Sequence, residues 1–338
     1  MTSLLLVCPT AVDPALGVAQ VALELASGLA RAGIPADVVE GWKGASSFTA
    51  LRSRLAALHA GLRAGQLLEC PAPWAAALPR GGAPVYHRST QPDLAYLRAE
   101  AQGQGTRAWL HAAASALPVM AGWRRVDGFL ALGEDEAAWM RGHVPWLAPR
   151  LQAYLHAPPR ELRPVLRDLA SRRAAPAAGA TRWLWMGRWV AHKGTASLVS
   201  FLEGRLSRHP GEVATLAGTG AVPRLPASLR GRVRVVPRFG RGELPGLLAG
   251  HDAGLFTSIT EGWGLSLQEM LESGLPVYAT QAGGVQDLAP WFPGSLRPFP
   301  PVEGDVAPSA PPRPGYFERF DWDAISADVA SWLRTLSG

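Results

Sequence analysis

Lysine is nearly missing from this chain. Of the 33 basic residues among 338, only Lys43 and Lys193 are lysine; the rest are arginine. Such a bias points to a GC-rich genome, and a lysine kept against it marks a place that needs a compact point charge rather than a planar fork. Lys193 stands in a suggestive loop and Lys43 does not. Cysteine is as scarce. Cys8 and Cys70 offer neither a disulfide framework nor metal-ligand spacing, which points to a reducing cytoplasm. No apolar run approaches the ~20 residues that span a bilayer. The opening MTSLLLVCPT has no basic n-region and meets Pro9 too early for a signal peptide, so LLLV reads as a first buried strand. Long basic runs are absent too, although a net charge of +6 and a pI near 9.9 suit nucleic acid, anionic lipid or a phosphorylated small molecule. The densest basic patch, RGRVRVVPRFGR (230–241), carries Val233, Val235 and Val236 and reads as a solvated strand edge, with nucleic acid the weaker reading.

The length fits two domains of about 150 residues, and a 48% hydrophobic fraction can fill two cores. Residues 3–40 read strand, loop, helix, strand, with Val18, Val21, Ala22, Leu25 and Leu29 on one helical face. Gly33 stops that helix and ADVVE resumes as a strand, a βαβ opening that implies a parallel sheet. PVYH (84–87), RAWLH (107–111) and DGFLAL (127–132) are expected as further strands. The stretch 156–181, rich in Ala, Pro and Arg, reads as an interdomain linker with a surface helix. A second alternation then begins: RWLWM, a helix from about Thr195 to Leu206, VATLAG, VRVVP, a short helix near 242–249, AGLF, a turn and helix, and PVYAT. The expected organisation is 1–160 as an amino-terminal Rossmann-like domain, 161–181 as linker, 182–320 as a second Rossmann-like domain, and 321–338 as a closing helix returning toward the first. The fold class is α/β, two Rossmann-like domains facing a central cleft. A proline-rich stretch, 300–315, reads as a mobile loop.

Open parallel sheets bind ligands beyond the carboxyl ends of their strands. The loops after RWLWM, ATLA, GLF and VYA should therefore share one rim. The first, GRWVAHKG (187–194), places Arg188 and Lys193 near a helix N-terminus, where two cations and free N–H groups make a metal-free diphosphate site. The bland alternative is two exposed cations on a loop; the lysine scarcity and the flanking Gly187 and Gly194 favour function. Gly218 opens a GTG that is equally a simple turn. The third loop leads into TSITEGWGLSLQEM, where the helix starts near Leu265. Glu261 then sits on the loop and Glu269 in the second helical turn, ~12 Å apart along one line if the helical rise held throughout. A nucleotide diphosphate sugar has hydroxyl pairs at both ends and about that length. One carboxylate suits the ribose diol and the other the sugar, with the N–H groups of Gly264, Leu265 and Ser266 facing the phosphates. The bland alternative makes Glu261 a helix-start residue and Glu269 a solvated one. Gly262 and Gly264 argue against it. Trp263 between them is expected on the rim, available to a sugar.

These residues resemble the GT-B glycosyltransferases of family 4. The resemblance rests on G-R-x4-K-G, on G-x-G, on E-G-x-G-L with its two glutamates separated by seven residues (the EX7E spacing), and on G-L-P-V-x-A-T-x-x-G-G, together spanning about 183–290. FDWDAISADVASWL resembles the family's closing helix. LGVAQVALELASGLARAG resembles its glycine loop and first helix; Leu16 replaces the first glycine of the usual pair, and Gly17 remains to let the loop approach the diphosphate. TRAWLHAAAS resembles the segment bearing the family's active-site histidine, here His111. The amino-terminal domain looks shortened between about 41 and 85, where acceptor contacts often lie. The resemblance implies that Arg188 and Lys193 neutralise the leaving diphosphate and Glu269 binds the ribose. It implies that Glu261 contacts the donor sugar and His111 lines the reaction centre. The implied activity is retaining, metal-independent sugar transfer from a nucleotide diphosphate donor, with no cofactor, to an acceptor left open among glycan, lipid and small molecule.

DWD (321–323) imitates an Asp-x-Asp metal site but precedes ISADVASWL and reads as a helix start, as does GEDEAAWM (133–140). His87 fits a cleft residue and a core residue equally. Two rival functions remain: a non-catalytic binding or scaffold subunit, favoured by the shortened first half, and a nucleotide-sugar epimerase, which would need acidic catalysts not found here. The expected location is cytoplasmic. The basic surface suits peripheral contact with the inner membrane face, although no amphipathic anchor stands out.

Overall fold

A computed structural model describes residues 2–13, 17–102, 104–174, 180–302, 306 and 309–337. The chain forms two compact units, Met1–Pro159 with Phe317–Gly338, and Arg160–Tyr316.

The first unit holds strands β1 (Ser3–Cys8), β2 (Ala36–Glu40), β3 (Gln66–Glu69), β4 (Val85–Arg88), β5 (Gly128–Leu132) and β6 (Leu151–Tyr154) in one sheet of order β2-β1-β3-β4-β5-β6. Every pairing is parallel. Its helices are α1 (Gly17–Arg31), α2 (Phe48–Ala60), α3 (Ala72–Ala75), α4 (Asp93–Ala101), α5 (Thr106–Arg125) and α6 (Gly133–His143). The expected face of α1 is largely the buried one: Val21, Ala22, Leu25 and Leu29 are enclosed, and Val18 at its start is half-buried. Leu16 lies outside the described residues.

The second unit holds α7 (Arg163–Arg172), β7 (Arg182–Met186), α8 (Thr195–Arg208), β8 (Val213–Ala217), β9 (Val233–Val236), α9 (Leu244–Ala249), β10 (Ala253–Phe256), α10 (Leu265–Glu272), β11 (Val277–Ala279), α11 (Val285–Leu288) and β12 (Leu296–Pro298). Its sheet order is β9-β8-β7-β10-β11-β12, again all parallel. This is the doubly wound Rossmann order, in which the chain reverses its direction of growth between β7 and β10. Trp183 and Trp185 are core residues of β7, as their strand position suggested. The Trp183 indole N–H donates to Glu212 at 2.7 Å.

Two expectations change. RAWLH (107–111) is not a strand but the start of α5, a 20-residue helix. Five residues of alternating character cannot reveal their period, and the Ala- and Leu-rich continuation supplies the helical preference. The stretch 161–181 is not a free linker. Its helix α7 packs in the second unit, where Arg163 pairs with Glu272 at 3.1 Å and Arg173 donates to the carbonyls of Leu248, His251 and Ser273. Residues 175–179 of that stretch, and part of the loop expected at 300–315, lie outside the described residues. Strands β3, β6 and β12 were not anticipated at all.

After α12 (Tyr316–Arg319), the final helix α13 (Trp322–Ser337) returns to the first unit and packs on α1. Trp322 donates its indole N–H to the Pro158 carbonyl at 3.2 Å, Arg31 pairs with Asp323 at 2.7 Å, and Arg334 reaches the Ala32 carbonyl at 2.6 Å. The helices touch at Gly28, where an added Cβ would lie 2.0 Å from the Ser326 Oγ and 3.0 Å from the Trp322 carbonyl. Gly28→Ala should therefore cost about 1–3 kcal/mol through overpacking and lower Tm. Gly142→Ala, on α6 with nothing within 4 Å of the added methyl, should not lower it. Thermal melts of the two variants make the comparison; an unchanged Tm for Gly28→Ala would mean that α13 does not pack tightly there.

Candidate functional site

The second unit brings its rim loops together where β7 and β10 lie side by side. After β7 the chain runs through Gly187, the exposed Arg188 and a short 3-10 turn, Ala191–Lys193, into Gly194 and α8. Gly194 has φ +67° and stands against the loop after β10: a Cβ there would lie 1.8 Å from the Thr257 carbonyl oxygen. Only glycine allows both that backbone angle and that approach. Thr257 fastens the two loops from its side. Its hydroxyl donates to the Lys193 carbonyl at 2.8 Å and accepts from the Trp185 indole at 3.1 Å.

The Lys193 ammonium meets the Glu261 carboxylate directly, and Ser258 donates to the same carboxylate oxygen at 3.2 Å. Both ionic side chains are about one-sixth exposed. The two residues, 68 positions apart in sequence, are thus joined on one rim. Arg188 pairs with no acidic side chain among the described residues. Gly218 follows β8 and sits beside Gly187, whose N–H donates to the Ala217 carbonyl at 2.9 Å. The first GxG glycine therefore borders the same rim.

Helix α10 begins at Leu265 as expected, with Gly264 at φ +86° before it. The free N–H groups of its first turn belong to Leu265 and Ser266, both half-buried. Gly262 is half-buried on the preceding loop. Trp263 is not on the rim surface. It is 3% exposed, its indole packs against the backbone of Gly284, and its N–H donates to Gln268 at 2.7 Å. The glycines around it let the loop fold over the ring rather than display it.

Glu269 is buried in the second turn of α10. Burial raises its pKa to about 7, with Arg241 opposing and Glu272 adding to the shift. The Arg241 Nη1 stands 3.7 Å from its carboxylate, and the Arg241 Nε is buried without a hydrogen-bond partner. Sequence reasoning missed Arg241, although it belongs to the loop after β9 on the same rim. Glu272, one turn on, is held by Arg163 at 3.1 Å and by the Tyr316 hydroxyl at 2.7 Å. Gln268 donates to the same hydroxyl at 2.8 Å. A continuous chain of hydrogen bonds thus fixes α10 from Trp263 to Arg163.

The first unit carries a separate polar network at its strand ends. Arg88 and Glu69 form a buried pair at 2.9 Å, Tyr86 donates to Glu69 at 2.9 Å, and Tyr154 donates to the Ser89 carbonyl at 2.6 Å. Ser89 donates to Glu136 at 2.8 Å, while Glu136 accepts the Leu132 N–H at 2.7 Å. Burial lifts the Glu136 pKa to about 7. His87 is a buried member of this group. Its Nδ1 lies 3.0 Å from the Ala72 nitrogen and 3.3 Å from the Cys70 carbonyl, and burial lowers its pKa to about 4. Gly17 is the first residue of α1. His111, expected at a strand end, is instead exposed on α5. Asp321 of DWD accepts the Asp323 N–H at 2.7 Å, as a helix-start residue does. Among the described residues no group of three or more His, Cys, Asp and Glu could hold a metal ion.

With this geometry in place, comparison with known proteins becomes specific. Residues 180–291 match the family described as glycosyl transferases group 1. The Bacillus subtilis (strain 168) protein named uncharacterized glycosyltransferase YqgM is 32% identical over 109 residues, a stretch spanning 30% of each chain. Sucrose-phosphate synthase from Thermosynechococcus elongatus superposes on 100% of this chain and 92% of its own, with a TM-score of 0.64 and 16% identity. WaaG, described as a glycosyltransferase involved in lipopolysaccharide biosynthesis, gives 99% and 94%, a TM-score of 0.57 and 14% identity. Anabaena HepE in complex with UDP gives 99% and 95%, a TM-score of 0.54 and 15% identity. The family match covers about a third of the chain, and the fold, with its two six-stranded parallel sheets, is the GT-B fold of these neighbours.

The raised pKa of Glu269 gives a stability prediction with a definite sign. Its pKa is higher in the folded state than the ordinary 4.5, so the folded protein is stabilised at low pH and loses that contribution as pH rises through about 7. The loss is on the order of 3 kcal/mol at most. Glu269→Gln should raise Tm at pH 8.5 and leave it nearly unchanged at pH 4. Melts across pH check this, and a variant less stable at pH 8.5 would contradict it.

Proposed function

We propose that the protein transfers a sugar from a nucleotide diphosphate donor to an acceptor, with retention and without a metal, in the manner of family 4. The observation that carries this reading is the meeting of Lys193 and Glu261 where the sheet of the second unit reverses. Arg188 and Lys193 neutralise the leaving diphosphate, together with the Gly264 N–H and the first-turn N–H groups of Leu265 and Ser266. Charge developing on that leaving group is where the protein can lower the barrier most. Glu269 accepts the two ribose hydroxyls as a carboxylate, and Glu261 contacts the donor sugar. Gly187, Gly218 and Gly262 leave room for close backbone approach, while Trp263 shapes the loop from beneath. HepE holds UDP in its structure, which makes uridine donors the first to try. Gly17 and His111 belong to the other unit and are given no part in this donor site.

Hydrolysis assays over a panel of nucleotide sugars test the activity. Turnover of at least one donor, unchanged by chelator, is expected; loss of turnover in chelator would overturn the metal-free mechanism. Lys193→Ala should weaken nucleoside diphosphate binding about 100-fold and nucleoside binding less than twofold, as measured by calorimetry. Equal losses would remove the role given to Lys193.

A further inference from the structure

Monomeric proteins rarely display contiguous large apolar side chains on one helix face, yet α5 does. Its buried side is Ala112, Val119, Gly122 and Trp123. Beside it around the helix Trp109, Leu110, Leu117 and Met120 are all exposed, the two leucines by 68% and 64%. At about 100° per residue, Trp109, Ala113, Leu117, Met120 and Arg124 fall within roughly 80° of one another, with Leu110 at the edge. The stripe continues past the helix: the Arg124 guanidinium lies 5.4 Å over the ring of Trp146, itself exposed.

The charges on α5 itself have one sign, while α4 packed beside it adds the exposed Glu100. The sequence from Thr106 to Arg125 contains Arg107, Arg124 and Arg125 and no acidic residue. Arg124 also lines an open hollow of about 870 Å³, together with Arg80, Arg125 and Arg150. The sole acid lining it, Asp127, faces Arg125 at 3.9 Å. Arg80 and Arg150 are exposed. An apolar face ~17 Å long that runs into an arginine-lined hollow suits a partner with an apolar layer beneath an anionic one. Nucleic acid lacks the first. A lipid bilayer has both, and its phosphates match the guanidinium fork.

We propose that α5 docks the protein on an anionic lipid surface, with Trp109, Leu110, Leu117 and Met120 entering the interface and Arg80, Arg124 and Arg150 holding headgroup phosphates. The orientation follows from the chemistry: α5 lies flat along the bilayer, and Trp146 settles at headgroup depth, where amphipathic rings are favoured. This docking stands independently of the donor reaction.

Co-sedimentation of the full chain with vesicles tests it. Binding is expected to vesicles containing phosphatidylglycerol and at least tenfold weaker binding to phosphatidylcholine alone. The double variant Leu110→Glu with Leu117→Glu changes only exposed positions, and should lose vesicle binding at least tenfold while keeping its circular dichroism and melting temperature. Arg80→Gln with Arg150→Gln should reduce the preference for the anionic vesicles. Failure to bind anionic vesicles, or equal binding by the leucine variant, overturns the proposal. So does a concentration-dependent dimer in gel filtration that the leucine variant abolishes, because the face would then belong to a second copy.

Discussion

The site depends on one close approach. The Thr257 carbonyl occupies the space that any side chain at position 194 would need, so the loops after β7 and β10 can touch only because residue 194 is glycine. That contact brings an ammonium from one loop and a carboxylate from the other into one ion pair. The parallel sheet places the loops side by side at its reversal point, where such folds gather their ligands. Glycine converts side by side into contact.

Around that pair the protein treats its acids differently. Glu272 is fully engaged by Arg163 and Tyr316 and serves the architecture; removing one partner of such a buried pair leaves an uncompensated charge and costs about 3–5 kcal/mol. Glu269, three residues earlier, is equally enclosed but among the described residues its carboxylate has only Arg241 as a cationic neighbour, at 3.7 Å. Its carboxylate therefore keeps unused hydrogen-bonding capacity at the expense of stability. The chain from Trp263 through Gln268 and Tyr316 to Glu272 and Arg163 holds α10 rigid, so that this underused carboxylate keeps its direction. A site built this way trades folding free energy for a fixed acceptor.

Much of the second unit was legible in the sequence because each strand is followed by a loop whose glycines and charges carry a spacing. RWLWM, VATLA and AGLF read as buried strands, and Leu265 as a helix start, at nearly the observed boundaries. The first unit was less legible. RAWLH alternates over too few residues to separate two periods, and reading it as a strand hid both the exposed setting of His111 and the apolar face of α5. QLLE and LQAY are four-residue strands that only their neighbours in the sheet define. Trp263 was misplaced for a related reason: glycines on both sides signal freedom of the backbone, and sequence cannot say whether that freedom displays the ring or buries it. Arg241 carried a usable signal, a cation following a strand whose loop joins the rim, but it lay within a patch read as a solvated edge.

In the proposed donor site the diphosphate is neutralised by the same Lys193 ammonium that Glu261 pairs with, so the two compete for one charge. Calorimetry on Glu261→Gln tests it most directly, comparing a nucleoside diphosphate with the corresponding nucleotide sugar. Removing the charge frees the ammonium, so diphosphate affinity should rise, while nucleotide-sugar affinity should fall as the sugar loses its carboxylate. A fall in both affinities would contradict the account.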